Sequence, residues 1–186
     1  MQYELTTPCT AADLAPLKAG DTVLLSGVVY TARDQAHKRM LEALDKGEKL
    51  PFDLEGSAIY YVGPTPERPG EVIGSAGPTT SGRMDAMSPR LLDLGNKIMI
   101  GKGKRDAAVK EAVVRNGAVY LAALGGAGAL MAQSVKTLEV IAWPDLGCEA
   151  VRRLTVEDMP LTVILDAHGG DLYLSGPEAY REAQVK

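Results

Sequence analysis

One short segment concentrates side chains that can bind an anion. Residues 77–85 read GPTTSGRMD, in which three consecutive hydroxyls, from Thr79 to Ser81, and the guanidinium of Arg83 lie close to two glycines. Glycine lets backbone N–H groups approach a ligand, hydroxyls donate hydrogen bonds, and arginine can bind a carboxylate through two parallel bonds. The segment therefore predicts an anion site. The same residue types also suit the start of a helix, with Thr80 or Ser81 as its cap.

Strand and helix patterns alternate along the chain that must position this segment. Strands are predicted at residues 2–6, 21–30, 58–62, 71–73, 97–100, 118–123, 138–142, 150–156, 161–166 and 171–174. Helices are predicted after a capping box at Thr10 and at 34–46, 88–94, 106–116 and 125–134, with Asp34 as the cap of the second. This order predicts an α/β fold, with residues 1–186 as one domain.

The candidate ligand-binding residues share one position relative to these elements. Arg33, the loop at Thr79, Lys102 and Gly125 each follow a predicted strand and precede a predicted helix. If those strands are parallel neighbours, their carboxyl ends meet at one edge of the sheet, where helix N-termini favour negative charge. A pocket there would contain Arg33, Arg83 and Lys102. Three cations suit a small dianion.

Composition narrows the range of partners. The chain has 186 residues, a net charge of −4 and a pI near 5.3. A general nucleic-acid binder usually has a basic total, so the anion site must be local. The first residues do not resemble a signal peptide, and no apolar run reaches the roughly 20 residues of a membrane span. We expect a cytoplasmic protein that binds neither nucleic acid nor membrane.

Two other glycine-rich segments fit nucleotide-binding motifs poorly. In residues 95–103, five residues rather than four separate the first two glycines, and Gly103 stands where a magnesium-binding Ser or Thr belongs. The segment Gly126-Ala127-Gly128 lacks the third glycine of a dinucleotide motif. We therefore expect no nucleotide at either segment.

The 77–85 segment resembles the signature of the class I, iron-sulfur-dependent fumarase and L(+)-tartrate dehydratase family, in its β-subunit or C-terminal part. Segments similar to further motifs of that family follow in the family's order: Ala32–His37 (ARDQAH), Ile100–Gly103 (IGKG), Leu124–Gly126 (LGG) and Asp145–Gly147 (DLG). The resemblance implies a swivelling β/β/α domain and a hydro-lyase activity.

The resemblance also implies a site and a substrate. Arg33, Thr79, Arg83 and Lys102 match the family's substrate-binding positions, and Thr79 matches the residue proposed there as the proton-abstracting base. The implied reaction is the reversible hydration of fumarate to L-malate. Tartrate dehydratase is a close alternative, since its substrate differs by one hydroxyl. A dicarboxylate-binding module without catalysis is an alternative from another class of protein.

The cysteines bear on the cofactor. An iron-sulfur cluster needs three or four thiolates, whereas this chain has only Cys9 and Cys148. The resemblance places the [4Fe-4S] cluster in a cysteine-bearing α-subunit, so we expect an oligomer and no metal bound by this chain alone. The family's N-terminal part is not in this sequence, which favours a separate subunit.

The remaining charged side chains are expected to have structural roles. Asp34 and Asp85 suit helix caps or partners that orient arginines. Lys104 and Arg105 are read as a solvated pair. His37 lies one turn into a helix, which favours packing or a subunit contact over catalysis.

Overall fold

Apart from residues 71–73, the strands and helices of the N-terminal two thirds follow the predicted alternation. A computed structural model describes residues 1–123 and 126–184. The strands are β1 (Gln2–Thr6), β2 (Thr22–Thr31), β3 (Ala58–Tyr60), β4 (Ile98–Gly101), β5 (Val119–Ala122), β6 (Val135–Ala142) and β7 (Val151–Leu165). The helices are α1 (Ala11–Leu14), α2 (Asp34–Asp45), α3 (Ser88–Asp93), α4 (Ala107–Asn116), α5 (Gly128–Gln133) and α6 (Leu172–Gln184), with 3₁₀ helices at Ser81–Met84 and Pro144–Glu149.

The strand pairing places the predicted loops at one edge. The first five strands lie in the order β1-β2-β3-β4-β5 and run parallel to one another. The long strand β7 runs antiparallel to β5, β6 and β2. Because β7 pairs with both β2 and β5, the strands β2, β3, β4, β5 and β7 close into a ring. The chain is therefore a mixed α/β structure in which the loops after β2, β3 and β4 share one end.

Two hydrophobic cores lie on opposite faces of the strands. Alternate residues separate them, so that Ile98 and Ile100 of β4 belong to one core and Met99 to the other. The first core also includes Leu14 of α1 and Met131 of α5. The second core is covered by α2, α3 and α4. Both faces of β4 are thus buried, which explains its continuous apolar sequence.

Helix ends show where the sequence reading of caps was right and where it was wrong. The capping box at Thr10 is confirmed, since its side chain accepts from Asp13 N and its N–H donates to the Asp13 carboxylate. The prediction that Asp34 caps α2 is wrong, because Asp34 is the first residue of that helix. The capping position belongs to Arg33, whose side chain makes no capping bond. The carboxylate of Asp34 is engaged by arginines instead.

The C-terminal third departs most from the prediction. The strands expected at 150–156 and 161–166 are one strand, β7, because both halves continue a single antiparallel ladder with β2. The strand expected at 171–174 is wrong, because Asp171 accepts from Tyr173 N and Ser175 N and so starts α6.

No strand forms at 71–73, where residues 65 and 75 bond to each other and close a surface loop.

The predicted helix at 125–134 begins later, at Gly128, and residues 124 and 125 lie outside the described ranges. Within residues 1–123 and 126–184, no helix combines the length and apolar character that a membrane span requires.

A close approach at the end of β4 yields a stability prediction. A methyl group added at Gly101 would overlap Ser81 Oγ. Overpacking of this kind costs roughly 1–3 kcal/mol. We expect Gly101→Ala to lower the free energy of unfolding by that amount in denaturant titrations. Adding Ser81→Ala removes the obstructing oxygen and should recover part of the loss.

Gly82→Ala is the matched control, because its added methyl would meet its nearest neighbour, the Lys104 carbonyl, at 3.5 Å, an ordinary contact. A Gly101→Ala protein that is no less stable than Gly82→Ala would contradict the packing at this position.

Candidate functional site

The signature segment is held against the ends of two parallel strands. Thr79 N–H donates to the carbonyl of Tyr61, just after β3, at 2.8 Å. Thr80 forms a parallel bridge with Lys102, just after β4. The segment thus extends the β3 and β4 edge of the sheet, although a long loop separates it from β3 in sequence.

Ser81 ties this segment to Lys102. Its N–H donates to the Lys102 carbonyl at 2.9 Å, and its Oγ accepts from Lys102 N–H at 3.0 Å. The hydroxyl of Tyr120 donates to the Gly103 carbonyl at 2.9 Å, and its oxygen accepts from the Ser81 hydroxyl at 3.0 Å. These bonds set the backbone of Lys102 beside Thr79 and Thr80.

Asp34 brings the two predicted arginines together. Its Oδ1 lies 2.7 Å from Arg83 Nε, and its Oδ2 lies 3.9 Å from Arg33 Nε. The Arg83 side chain is half exposed, whereas that of Arg33 is 19% exposed. The expectation that Asp34 orients an arginine is therefore met by this geometry. The 3₁₀ helix Ser81–Met84 connects the arginine pair to the Thr79 and Lys102 pair.

Arg33 is enclosed but not saturated with hydrogen bonds. Its nearest carboxylate oxygens are Glu149 Oε1, 3.6 Å from Nη2, and Asp34 Oδ2, 3.9 Å from Nε. Both distances exceed a hydrogen bond. Its Nε is buried and has no hydrogen-bond partner among the described residues. The Arg33 donors left for an incoming carboxylate therefore belong to its Nη groups, which no carboxylate approaches within hydrogen-bond distance.

A buried ion pair lies beneath the signature segment, and the sequence reading missed it. Arg105 was expected in solvent but is only 5% exposed, and its Nε lies 2.6 Å from Asp85 Oδ1. Asp85 Oδ2 accepts from Asp106 N–H at 2.7 Å, so the predicted orienting role of Asp85 is confirmed for Arg105. The faces of Tyr61 and Tyr120 flank the guanidinium at 5.3 and 5.0 Å.

His37 is fully buried beside Arg33. Its Nδ1 lies 3.0 Å from the Arg33 carbonyl and its ring meets Tyr61 edge to face. Because a carbonyl only accepts, Nδ1 must carry the proton. Burial lowers the pKa of His37 to about 4, although the bond to Arg33 opposes that shift. The His37 ring is therefore neutral near pH 7. A neutral, buried ring fits a packing role rather than a role in proton transfer.

The candidate site is open to solvent on this chain. Thr79 is partly buried, whereas Thr80, Arg83 and Lys102 are exposed. Two surface grooves of about 480 and 450 Å³ lie beside the 65–75 loop, with walls from that loop, α5, β6 and the 147–152 segment. The predicted cations thus occupy an edge and not one of these grooves.

The described residues do not form a metal centre. Among them, no group of three or more His, Cys, Asp and Glu side chains could hold a metal ion. Cys9 is buried, its thiol lies 3.4 Å from the Thr6 carbonyl, and burial raises its pKa to about 11. Cys148 is exposed on the 3₁₀ helix Pro144–Glu149. These two thiols do not fit an iron-sulfur cluster.

Comparison with known proteins defines the family. The family model described as "Fumarase C-terminus" matches residues 1–176. The chain therefore belongs to this family, and the resemblance read from its motifs is confirmed.

Individual relatives narrow the likeness further. The chain is 43% identical to "Putative L(+)-tartrate dehydratase subunit beta" of Methanocaldococcus jannaschii, over 88% of this chain and 87% of that protein. It is 32% identical to "L(+)-tartrate dehydratase subunit beta" of Escherichia coli, over 98% and 92% respectively. It is 38% identical to "Fumarate hydratase class I, aerobic" of Escherichia coli over 87% of this chain. The chain spans about 30% of the length of that fumarate hydratase.

The burial of His37 predicts an acid-dependent loss of stability. The unfolded chain binds a proton at His37 near pH 6.5, whereas the folded chain does so only near pH 4. Stability therefore falls as pH falls through this window. His37→Asn keeps a side-chain N–H donor but cannot titrate. Between pH 7 and 4.5, we expect the variant to lose roughly 2–3 kcal/mol less unfolding free energy than the parent.

Urea titrations of both proteins at these two pH values measure the difference. Identical pH profiles would show that the folded protein protonates His37 as easily as the unfolded chain does.

Proposed function

We propose that this chain is the β-subunit of a two-subunit hydro-lyase that reversibly hydrates fumarate to L-malate. The observation that carries the proposal is the arrangement at one sheet edge of Arg33, Arg83, Thr79 and Lys102, in a chain of the fumarase C-terminus family. In this proposal the two arginines and Lys102 bind the substrate carboxylates. Thr79 lies at the reacting carbon.

The chemistry explains why cations and a hydroxyl belong together. Dehydration of malate removes a proton next to a carboxylate, and negative charge then builds on that carboxylate. Cations already in position stabilise this charge more effectively than water, which must reorganise. Arg33 offers unused N–H donors for this purpose. To act as the base, Thr79 must first lose its hydroxyl proton, and the nearby cations favour its alkoxide; the alkoxide takes the proton from carbon in dehydration and returns it in hydration. The hydroxide leaves the adjacent carbon, and the cluster iron of an α-subunit would act there as a Lewis acid.

The charge balance supports a partner subunit. Arg33 and Arg83 lie against the carboxylates of Asp34 and Glu149, and with Lys102 as the third cation one net positive charge is left for a substrate with two negative charges. The open edge and the missing cluster ligands favour the same conclusion. The [4Fe-4S] cluster, further cations and the cover of the site would come from an α-subunit. The names of the tartrate dehydratase relatives, as β-subunits, agree with such a partner.

A finer description of the fold follows from this proposal. Residues 1–186 would form one swivelling β/β/α domain that moves against the α-subunit to cover the substrate. Its ring of strands and its helix-covered face support that reading. An oligomeric assembly and a cytoplasmic location stay predictions.

L(+)-tartrate is the second candidate substrate. The tartrate dehydratase β-subunit of Methanocaldococcus jannaschii is 43% identical and matches over most of both chains, which favours this candidate. The two activities require the same carboxylate contacts and differ in one hydroxyl of the substrate. Assays with fumarate, L-malate and L(+)-tartrate on one preparation distinguish them.

Reconstitution tests the proposal. We expect the chain alone to lack iron-sulfur absorbance and hydro-lyase activity, because two distant thiols cannot ligate a cluster. Anaerobic assembly with the α-subunit should produce both. Turnover by the purified chain alone would overturn the two-subunit proposal. Binding of a dicarboxylate by an assembled complex that never turns over would favour the binding-module alternative.

Neighbouring threonines provide a test of the proposed proton transfer. Thr79→Val keeps the side-chain volume and should lower kcat in the complex by about 10² or more, the range of acid–base groups. Thr80→Val is the matched control, because Thr80 is exposed and adjacent. Steady-state rates of malate dehydration and melting temperatures are compared. A stable, fully active Thr79→Val enzyme would remove Thr79 from the mechanism.

A further inference from the structure

The carboxylate of Glu149, which is not among the predicted site residues, lies near Arg33 and also caps the start of α2. Glu149 ends the 3₁₀ helix Pro144–Glu149, far from α2 in sequence. Its Oε2 accepts from Gln35 N–H at 2.8 Å, which caps a helix whose own capping residue makes no such bond. Its Oε1 lies 3.6 Å from Arg33 Nη2. The Glu149 side chain is 17% exposed.

The backbone that carries Glu149 is held firmly. The guanidinium of Arg152 donates to the carbonyls of Gly147, Cys148 and Ala150 at 2.9 to 3.0 Å. The buried hydroxyl of Thr31 donates to the Ala150 carbonyl at 3.2 Å and accepts from Arg152 N–H at 3.0 Å. Thr31 ends β2, two residues before Arg33. The C-terminal end of β2 therefore holds both Arg33, which follows it in sequence, and the segment that carries Glu149.

The space around Arg33 is narrow. A methyl group added at Gly63 would lie 2.7 Å from Arg33 Nη1 and 3.2 Å from the Cys148 carbonyl. The guanidinium thus passes through a gap between these two backbone segments. At 3.6 Å, Glu149 attracts the charge of Arg33 without consuming a hydrogen bond.

We propose that Glu149 is a positioning residue that holds Arg33 in place for a substrate carboxylate while leaving its N–H donors free. This inference rests on the proposed function, since it assigns a carboxylate to Arg33. A hydrogen-bonded partner would compete with the substrate, and no partner would let the long side chain lose its orientation. The observed arrangement avoids both.

Glu149→Gln in the assembled complex tests the inference. The amide oxygen can still accept from Gln35 N–H, but the negative charge that attracts Arg33 is gone. We expect KM for fumarate and Kd for succinate, a dicarboxylate that cannot be hydrated, to rise about tenfold. Because negative charge on that carboxylate grows in the transition state, kcat should also fall, by about three- to tenfold.

Asp145→Asn is the matched control. Asp145 lies on the same 3₁₀ helix and also contacts α2, through two bonds with Arg39 at 3.0 and 2.6 Å. It is largely exposed and is not part of the proposed site. We expect KM, Kd and kcat to stay within twofold of the parent. The melting temperatures of both variants should be similar.

A second comparison separates positioning from a structural role. In an Arg33→Ala background, Glu149→Gln should change Kd for succinate by less than twofold, because nothing remains to be positioned. An equal effect in both backgrounds, or no effect in the parent, would overturn the inference.

The succinate measurement keeps the two proposals distinguishable. A complex without hydratase activity that still binds succinate, with coupled Glu149 and Arg33, would sustain this inference and refute the proposed function. A complex that neither turns over nor binds succinate would overturn both.

Discussion

The buried pair of Arg105 and Asp85 joins the two loops on which the candidate site is built. Asp85 is the last residue of the signature segment and Arg105 lies shortly after Lys102, so their contact sets these loops against each other. Burial of two charges is costly unless every polar atom is satisfied. Here Ser88 Oγ accepts from Arg105 Nη2 at 2.9 Å, and Asp106 N–H donates to the second oxygen of Asp85. These bonds offset the cost of burying the two charges. The ion pair therefore fixes the positions of the two loops relative to each other.

From this foundation the site divides into a rigid part and an open part. The hydrogen bonds of Ser81 and Tyr120 hold the backbone around Thr79 and Lys102, whereas the side chains of Arg83 and Lys102 extend into solvent. A binding edge of this type prepares its backbone before the ligand arrives and leaves the side chains to close around it. Most of the conformational entropy needed to order the backbone of the site is therefore lost during folding, before the ligand binds.

The sequence predicted those features that local patterns encode. The motifs after β2 and β4, the parallel order expected from alternating strands and helices, and the capping box at Thr10 all follow from neighbours in sequence. Features that depend on distant partners were not predictable in this way. The burial of Arg105 depends on Asp85 and two tyrosines, and the role of Glu149 depends on a helix more than a hundred residues away. The strand pattern at 171–174 failed because Asp171 caps a helix there.

The ring closed by β7 constrains the order in which the molecule can fold. Thr22 of β2 pairs with Thr162 of β7, near the opposite end of the chain. Contacts between residues so far apart require a large loss of chain entropy before they stabilise anything, and proteins rich in them fold slowly. During synthesis, the edges of β2 and β5 stay unpaired until β7 has left the ribosome. Unpaired strand edges can pair with those of other chains, so β7 also protects these two edges from edge-to-edge association in the folded protein.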